Sequence, residues 1–559
     1  MGAVAAWAAA LVIRGADVHT FDAARPRAEA VAVHDGRIVF VGDDADAAAW
    51  IGPGTQVLDA GGRVLIPGFV DAHVHLVDGG VELGQCALFE LEAADAILAE
   101  VARCAAAGRG WVEGAGWSLP AFGPEGPGRA ALDAVTGGRP ALLWAADGHS
   151  VWVNTAALAR AGVDGDTPDP PGGRIERGPD GAPSGVLRES ATELVAARLP
   201  APSRAVLDAG LERALGLASA AGITTALEAW TERASLAAFL RADRRGLPLR
   251  AVVALGYDET GDLRQLGWMR RARAASTRPR VVPRVVKLFV DGVIESRTAW
   301  MLDPYTDAGG SRGEPLWAPA DLEEAVTAVA AAGFDVHVHA IGDGAVRATL
   351  DAMAAARAAG STRPRFAIAH LEVIHPDDLP RFAALDVAAV FQPLWAWRDP
   401  YVTELTLPGL NPATSVALYP IGNLVRSGAT VGFGSDWSVS SMEPMLGVEV
   451  AVTRQGTDDE PAPPLAPEQA ISVEQAMRAA TLGAAMAIGV DGDVGSITVG
   501  KAGDLVLLSA DPWSIPARSL GDVGAVWTIA AGRRVAHGPA TGGSQSLGGR
   551  GSNSMAIVP

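Results

Sequence analysis

The 559-residue sequence contains only two cysteines and no long apolar run. Cys86 and Cys104 are too few for the disulfide framework of a small secreted domain, and they favour a reducing compartment. A single disulfide between these two cysteines is compatible with the sequence. A membrane-spanning helix requires about 18 consecutive apolar residues, and no segment reaches that length. We therefore expect a soluble, cytoplasmic protein with no membrane partner.

Basic residues are fewer than acidic residues. Lysine and arginine total 45 against 64 aspartates and glutamates, the formal net charge is −19, and no basic run occurs. Nucleic acids and anionic membrane surfaces bind clustered positive charge. The composition therefore argues against a nucleic-acid partner and leaves a small molecule as the expected ligand. A homodimer is compatible with it.

Apolar residues are abundant, at 49% of the chain, and the sequence also has 66 glycines and 37 prolines. This composition is typical of a folded protein with many turns. The length predicts more than one domain, one of them as large as an α/β barrel. Enough apolar surface is available for a substantial core.

The two ends of the chain share short β-type runs. Residues 1–66 include "AVAVHDGRIVFVG", in which Asp35-Gly36 is a hairpin signal, and residues 485–540 include "GSITVGKAGDLVLLS". We expect both ends to form one composite β-sandwich domain. Residues 541–559 are rich in glycine and serine, so we expect a flexible tail.

The middle of the chain, residues 67–484, alternates strand-like runs with alanine-rich helical stretches, which predicts parallel strands with helical crossovers. The candidate strands are 68–75, 223–228, 250–255, 284–290, 335–340, 366–371, 387–392 and 430–435. Eight strands predict an α/β fold of the (β/α)₈ TIM-like barrel type. Residues 80–205 exceed a normal connection, so we expect an insertion after the first barrel strand that covers the rim where barrel active sites lie.

The segment "PGFVDAHVH" places His73 and His75 one residue apart. On a strand both side chains point to the same face and can converge on a metal ion, although an isolated pair also occurs by chance on a polar face. Other residues that can bind metal fall near the ends of predicted strands. They are Lys287, His339, His370 and Asp436.

This pattern resembles the amidohydrolase superfamily, whose first-strand signature matches residues 67–75 and whose order of HxH, Lys, His, His and Asp is kept. The phrases "DGHS", "PGGRIER", "VKLFVDG", "HAIGD" and "GSD" are similar to the family 3 branch that contains N-substituted formamide deformylases. The resemblance covers the chain from residue 10 to residue 540 approximately.

Imidazoles and carboxylates suit zinc, so we expect one or two zinc ions at these residues. His73, His75 and Asp436 would bind one ion, and His339 and His370 a second. The resemblance implies that Lys287 is carboxylated and bridges the two ions. The alternative is a site with one metal in which Lys287 pairs with Asp291 or Glu228.

The expected activity is hydrolysis of an amide or formamide-like C–N bond. A zinc-bound water ionises near pH ~7 and supplies the nucleophile. Asp436 would transfer the proton, while His339 or His370 assists in polarising the carbonyl. Hydrolysis of a lactone, ester or carbamate, ring deamination, and a non-catalytic binding role stay open. Deamination is disfavoured because His339 is followed by Ala340-Ile341-Gly342-Asp343 and lacks the expected glutamate.

Fifteen tryptophans stand against four tyrosines, and several lie near predicted strand ends. They predict a pocket for an apolar or aromatic substrate, with core packing as the alternative reading. The expected substrate-binding residues are His149, Trp152, Trp395, Trp397 and Trp437. His337 and Asp71 are expected to support the site, whereas His19, His34, His375 and His537 are expected to lie outside the chemistry.

Overall fold

The computed structural model describes residues 9–89, 91–122, 126–259, 261–276, 280–415, 417–458 and 462–537. Its centre is a ring of eight strands, each paired in parallel with the next. They are β1 (Phe69–Val74), β2 (Ile223–Thr231), β3 (Arg250–Gly256), β4 (Val281–Phe289), β5 (Asp335–Ala340), β6 (Phe366–His370), β7 (Val387–Phe391) and β8 (Val431–Phe433). The predicted barrel is confirmed, and each of the eight predicted strands is present.

The barrel closes between β1 and the residues that follow β8. The backbone N–H of Asp436 donates to the carbonyl of His73 at 2.7 Å, and that of His75 donates to the carbonyl of Trp437 at 2.8 Å. Gly434 permits this approach, because a Cβ there would lie 2.6 Å from the backbone nitrogen of His73. Closure therefore brings the HxH pair next to Asp436.

Helices connect the barrel strands as the alternating pattern predicts. The helix before β2 shows why: the side chain of Ser203 accepts the N–H of Val206 at 3.3 Å, and apolar residues at helical spacing bury one face. The principal helices around the barrel are Leu76–Glu82, Arg204–Ala220, Arg233–Arg245, Leu266–Ala275, Pro319–Ala331, Asp343–Ala358, Leu379–Leu385, Ile421–Ser427, Pro444–Thr453 and Val473–Arg478.

The expected insertion lies between β1 and β2 and has a six-stranded sheet of its own. Its strands are Cys86–Ala87, Val112–Trp117, Ala141–Ala145, Ser150–Val153, Gly173–Arg177 and Pro183–Glu189. The helices that accompany them are Ala94–Ala107, Arg129–Val135, Thr155–Ala161 and Glu193–Ala196. Two separate apolar clusters fill the insertion, so it folds around its own cores rather than extending that of the barrel.

The two ends of the chain meet in one sheet. Strand Val64–Pro67 pairs antiparallel with Leu505–Leu508, so the expected pairing of the ends is present. The strands of this sheet are Asp17–His19, Arg27–Ala28, Val64–Pro67, Leu505–Leu508, Ala525–Ala530 and Arg533–His537. A second sheet contains Leu11–Arg14, Ala30–His34, Arg37–Gly42 and Gln56–Asp59, and one apolar cluster contains residues of both. The domain limits at 66 and 485 stay predictions, and residues 541–559 lie outside the described residues.

Cys86 and Cys104 form a disulfide, with their Cα atoms 5.8 Å apart. It joins the first strand of the insertion to helix Ala94–Ala107. Disulfides are typical of oxidising compartments, so the cysteines no longer support the predicted reducing environment, and a cytoplasmic location stays a prediction. Within the described ranges, no helix has both the length and the apolar character needed to cross a membrane.

Candidate active site

The ligand-type residues predicted from sequence meet at the carboxyl ends of the barrel strands. Oδ1 of Asp436 lies 3.5 Å from Nε2 of His73 and 3.2 Å from Nε2 of His75. Nζ of Lys287, near the end of β4, lies 3.2 Å from Nε2 of His73. Three strands that are distant in sequence thus bring their side chains to one point.

His370 and His339 extend the cluster along β6 and β5. Nδ1 of His370 lies 3.8 Å from Oδ2 of Asp436, and the rings of His339 and His370 are 4.5 Å apart. Nε2 of His339 lies 3.2 Å from the carbonyl oxygen of Gly292 and 3.7 Å from Oδ1 of Asp291. All six predicted ligands therefore belong to one connected cluster.

The chemistry of this cluster fits a divalent metal ion. Within the described residues, one ligand atom each from His73, His370 and Asp436 lies within 4.8 Å of the others. Among the described residues, Nδ1 of His370 is buried without a hydrogen-bond partner, and this costs free energy unless something else engages the atom. Burial holds the pKa of His73, His339 and His370 well below the ordinary value. Neutral imidazoles and a carboxylate offer the lone pairs that a cation requires.

Lys287 is fully buried. Its Nζ contacts His73 and lies 4.6 Å from the centre of the Phe289 ring. Among the described residues, no carboxylate oxygen lies within 4 Å of this nitrogen. Burial lowers the pKa of Lys287 to about 7, although the charge of Asp436 opposes the shift. The amine is therefore poised to lose its proton near neutral pH.

The two acids considered as partners for Lys287 bind backbone groups instead. Glu228 accepts the N–H groups of Leu76 at 2.7 Å and Val77 at 3.3 Å, at the start of helix Leu76–Glu82. Asp291 accepts three backbone N–H groups, those of Trp300, Ile341 and Gly342, at 2.8, 3.0 and 2.9 Å. The geometry therefore argues against the reading in which either acid neutralises Lys287.

Asp71 and His337 hold His73 in position. Asp71 accepts the backbone N–H of His73 at 3.1 Å and both the N–H and the hydroxyl of Ser435, at 3.0 and 2.6 Å. Nε2 of His337 lies 2.9 Å from Nδ1 of His73, which leaves Nε2 of His73 directed at the cluster. Both positions agree with the supporting role expected of these residues.

The model of the amidohydrolase family matches residues 56–536. The chain belongs to the amidohydrolase family. It is 30% identical over 520 residues to Protein LONG AFTER FAR-RED 3 of Arabidopsis thaliana, covering 90% of this chain and 88% of that protein. It is 27% identical to the N-substituted formamide deformylase of Arthrobacter pascens, covering 90% and 94% of the two chains.

A solved structure is also similar to this amidohydrolase. An uncharacterized metal-dependent hydrolase from Pyrococcus horikoshii matches with a TM-score of 0.73 and 21% identity, covering 91% of this chain and 99% of that one. At this identity the likeness supports the fold, which is the barrel with its additional domain.

Two of the expected substrate-binding residues lie beside the ligand cluster of the amidohydrolase. The ring of His149 is 5.2 Å from that of His339. The ring of Trp395 stacks on His370 at 5.6 Å with an interplanar angle of 2°. Trp397 is half-buried and lies against Gly456.

The other two tryptophans are core residues. Trp152 is fully buried in the insertion, where its ring lies 6.1 Å from Trp117 and 5.0 Å from Phe122. Trp437 is 1% exposed and lies against Gly79 of helix Leu76–Glu82. Neither ring has surface available to a ligand, which argues against the predicted substrate contacts and corrects that part of the expected pocket.

Glu189 contacts His149 at the edge of the cluster, and the sequence does not predict it as a site residue. Its Oε2 lies 2.8 Å from Nδ1 of His149, and its Oε1 accepts the hydroxyl of Thr298 at 2.6 Å. Burial disfavours a charged His149, but the charge and hydrogen bond of Glu189 outweigh it and raise the pKa of His149 to about 9. No motif marks Glu189, because the contact joins separate strands of the insertion.

The remaining histidines lie outside the cluster. Nδ1 of His375 accepts the N–H of Asp377 at 3.3 Å and caps the helical turn that follows, as expected. His19 stacks on Trp513 at 3.6 Å in the terminal sheet domain, and His34 ends strand Ala30–His34. His537 lies at the end of the last described strand.

Proposed function

We propose that this amidohydrolase is a zinc-dependent hydrolase that cleaves an amide or formamide-like C–N bond of a small molecule. The observation that carries the proposal is the buried Nδ1 of His370, which has no hydrogen-bond partner among the described residues and lies beside the carboxylate of Asp436 and the neutral imidazole of His73. The similarity to a protein named N-substituted formamide deformylase supports the choice of a C–N bond.

The proposal includes two zinc ions rather than one. His73, His75 and Asp436 would hold one ion, and His339 and His370 the second. Lys287 would join them as a carbamate, which forms when the neutral amine adds carbon dioxide and releases a proton. The lowered pKa and the absence of a salt bridge to Lys287 among the described residues support that form. When bound, zinc polarises a carbonyl oxygen and lowers the pKa of water.

Asp436 is the group best placed to move a proton. Its carboxylate is buried among the histidines, with Oδ1 3.2 Å from Nε2 of His75 and 3.5 Å from Nε2 of His73. In the proposed reaction this carboxylate takes a proton from the attacking water and delivers it to the leaving nitrogen, which departs as an amine. His339 and His370 would assist in polarising the carbonyl through the ion that they hold.

The substrate would lie between the cluster and the insertion. His149 and Trp395 border the cluster, and Trp397 lies two residues beyond Trp395. The half-buried face of Trp395 favours an apolar or aromatic substituent, because burying apolar area gains about 25 cal/mol per Å². Trp152 and Trp437 have no part in this pocket.

A substrate screen tests the proposal. Zinc-loaded protein is incubated with N-formyl and N-acyl amines, lactones and aminopyrimidines, and released amine, acid and ammonia are measured separately. We expect stoichiometric amine and carboxylic acid from an acyl amine, and no reaction in the His73→Ala variant. Turnover confined to lactones, or ammonia release from aminopyrimidines alone, would contradict cleavage of an acyl C–N bond.

A further inference from the structure

His149 and Glu189 form a pair that belongs to the insertion. His149 precedes strand Ser150–Val153, and Glu189 ends strand Pro183–Glu189. Nδ1 of His149 lies 2.8 Å from Oε2 of Glu189, and the backbone N–H of Glu189 donates to the carbonyl of His149 at 2.9 Å. The two residues are therefore held together by both side chain and backbone.

The same glutamate also contacts the barrel. The hydroxyl of Thr298, in the segment after β4, donates to Oε1 of Glu189 at 2.6 Å. Gly292 makes room for this contact, because a Cβ there would lie 2.2 Å from Oε1. The carbonyl oxygen of Gly292 lies 3.2 Å from Nε2 of His339. Glu189 is thus fixed between the insertion and a segment that touches the ligand cluster.

These contacts determine which nitrogen of His149 is available. Both carboxylate oxygens of Glu189 accept hydrogen bonds, so the proton of the shared bond belongs to Nδ1 of His149. Nε2, on the opposite side of the ring, has no hydrogen-bond partner among the described residues, and 16% of the side chain is exposed. The ring lies 5.2 Å from His339 and 6.4 Å from Phe289, beside the ligand cluster.

We infer that His149 donates its Nε2–H to the acyl oxygen of the substrate and that Glu189 is the positioning residue that fixes this imidazole. The carboxylate stabilises the ring with protons on both nitrogens, and it accepts only from Nδ1. The inference rests on the proposed function, since it requires an acyl substrate. It extends the active site to the insertion, which selects substrates that present an oxygen at this position.

Two isosteric variants separate the two contacts of His149. In His149→Asn the amide nitrogen takes the place of Nδ1 and can still donate to Glu189, but nothing replaces Nε2. In His149→Gln the amide nitrogen approximates Nε2 instead. Glu189→Ala removes the positioning group, whereas Glu189→Gln keeps an oxygen that accepts the Nδ1–H.

Binding is measured by calorimetry on zinc-loaded protein with 4-phenylbutan-2-one, a non-hydrolysable carbonyl compound, and with butylbenzene, which lacks the oxygen. We expect His149→Asn and Glu189→Ala each to weaken ketone binding about tenfold or more and to leave hydrocarbon binding unchanged. His149→Gln and Glu189→Gln should each retain part of the ketone affinity. The double variant His149→Asn/Glu189→Ala should lose no more ketone affinity than His149→Asn alone, because the two substitutions remove the same contact with the ketone oxygen.

Metal content and melting temperature are measured on every variant, so that a folding defect is recognised. Equal weakening of both ligands, an unaffected ketone affinity in His149→Asn, or wild-type protein that binds the ketone no better than the hydrocarbon would overturn the inference. Failure of the proposed function can be distinguished from failure of this inference. If the wild type hydrolyses no acyl amine but the variants still lose ketone binding specifically, the proposed reaction is wrong and the contact of His149 with the carbonyl oxygen is supported.

Discussion

Nζ of Lys287 lies 3.2 Å from Nε2 of His73, in a fully buried position without an acidic partner among the described residues. A charged ammonium would be costly in these surroundings and would repel a cation bound by His73. The contact is instead compatible with a modified, anionic lysine that shares the metal site.

Replacing Lys287 with alanine should therefore remove one of two zinc ions and most of the activity. A short carboxylic acid such as propionate should restore part of both, because it can occupy the place of the carbamate. Elemental analysis and turnover are measured on the same preparation. Full metal content in Lys287→Ala would favour a single-metal site in which the lysine has a structural role.

Removal of the metal should abolish activity reversibly. Burial keeps His73 and His370 neutral, and Nδ1 of His370 has no hydrogen-bond partner among the described residues, so we expect these side chains to hold the ion and a chelator to compete with them for it. Added zinc should restore turnover in proportion to the metal regained. Undiminished turnover in protein that elemental analysis shows to be metal-free would refute the proposed mechanism.

Asp436→Asn should keep much of the metal and lose turnover. The amide still offers an oxygen ligand but cannot carry the proton, and a general acid–base group contributes ~10²–10⁴-fold in rate. Turnover is normalised to the zinc content of each sample. A variant with full metal and near-normal turnover would exclude Asp436 from proton transfer.

Alanine variants of Trp395 and Trp437 compare a tryptophan at the proposed pocket with a tryptophan in the core. Trp395→Ala should lower kcat/KM for an N-benzyl substrate more than for an N-methyl one, because its half-buried ring stacks on His370 at the site. Trp437→Ala should instead destabilise the fold by about 3–5 kcal/mol, since its ring is core. Kinetics on both substrates are compared with urea unfolding. A uniform kinetic loss with reduced stability in Trp395→Ala would make that ring core packing as well.

The His149–Glu189 pair should make stability depend on pH. Glu189 raises the pKa of His149 from 6.5 to about 9 in the folded chain, so the pair stabilises the fold fully below the unfolded value. That contribution is lost as the pH rises through the folded pKa. Urea unfolding at about pH 6 and about pH 10 should show a smaller difference in Glu189→Gln than in the wild type. An identical difference in both proteins would show that the pair does not titrate in this range.

The sequence by itself determined the barrel and the ligand cluster. Eight apolar runs separated by helical periodicity specify parallel strands, and strand ends in such a barrel converge on one rim. His73 lies on β1 and His75 follows it directly, so strand alternation predicts that both side chains share one face. Each of the other predicted ligands lies at or near the end of its own strand. These are local patterns, so they can be interpreted without knowing which segments pack together.

Tertiary structure alone decided the partners of the buried groups. The sequence predicts substrate contacts for both Trp152 and Trp395, yet Trp152 is enclosed by the insertion core and Trp395 stacks on His370. The disulfide between Cys86 and Cys104 and the contact of Glu189 with His149 depend on how the insertion folds. Glu228 and Asp291 accept backbone N–H groups of segments distant in sequence, so neither acid pairs with Lys287. The physical reason is that burial and hydrogen bonding are properties of assembled segments, whereas residue spacing specifies only each segment's own geometry.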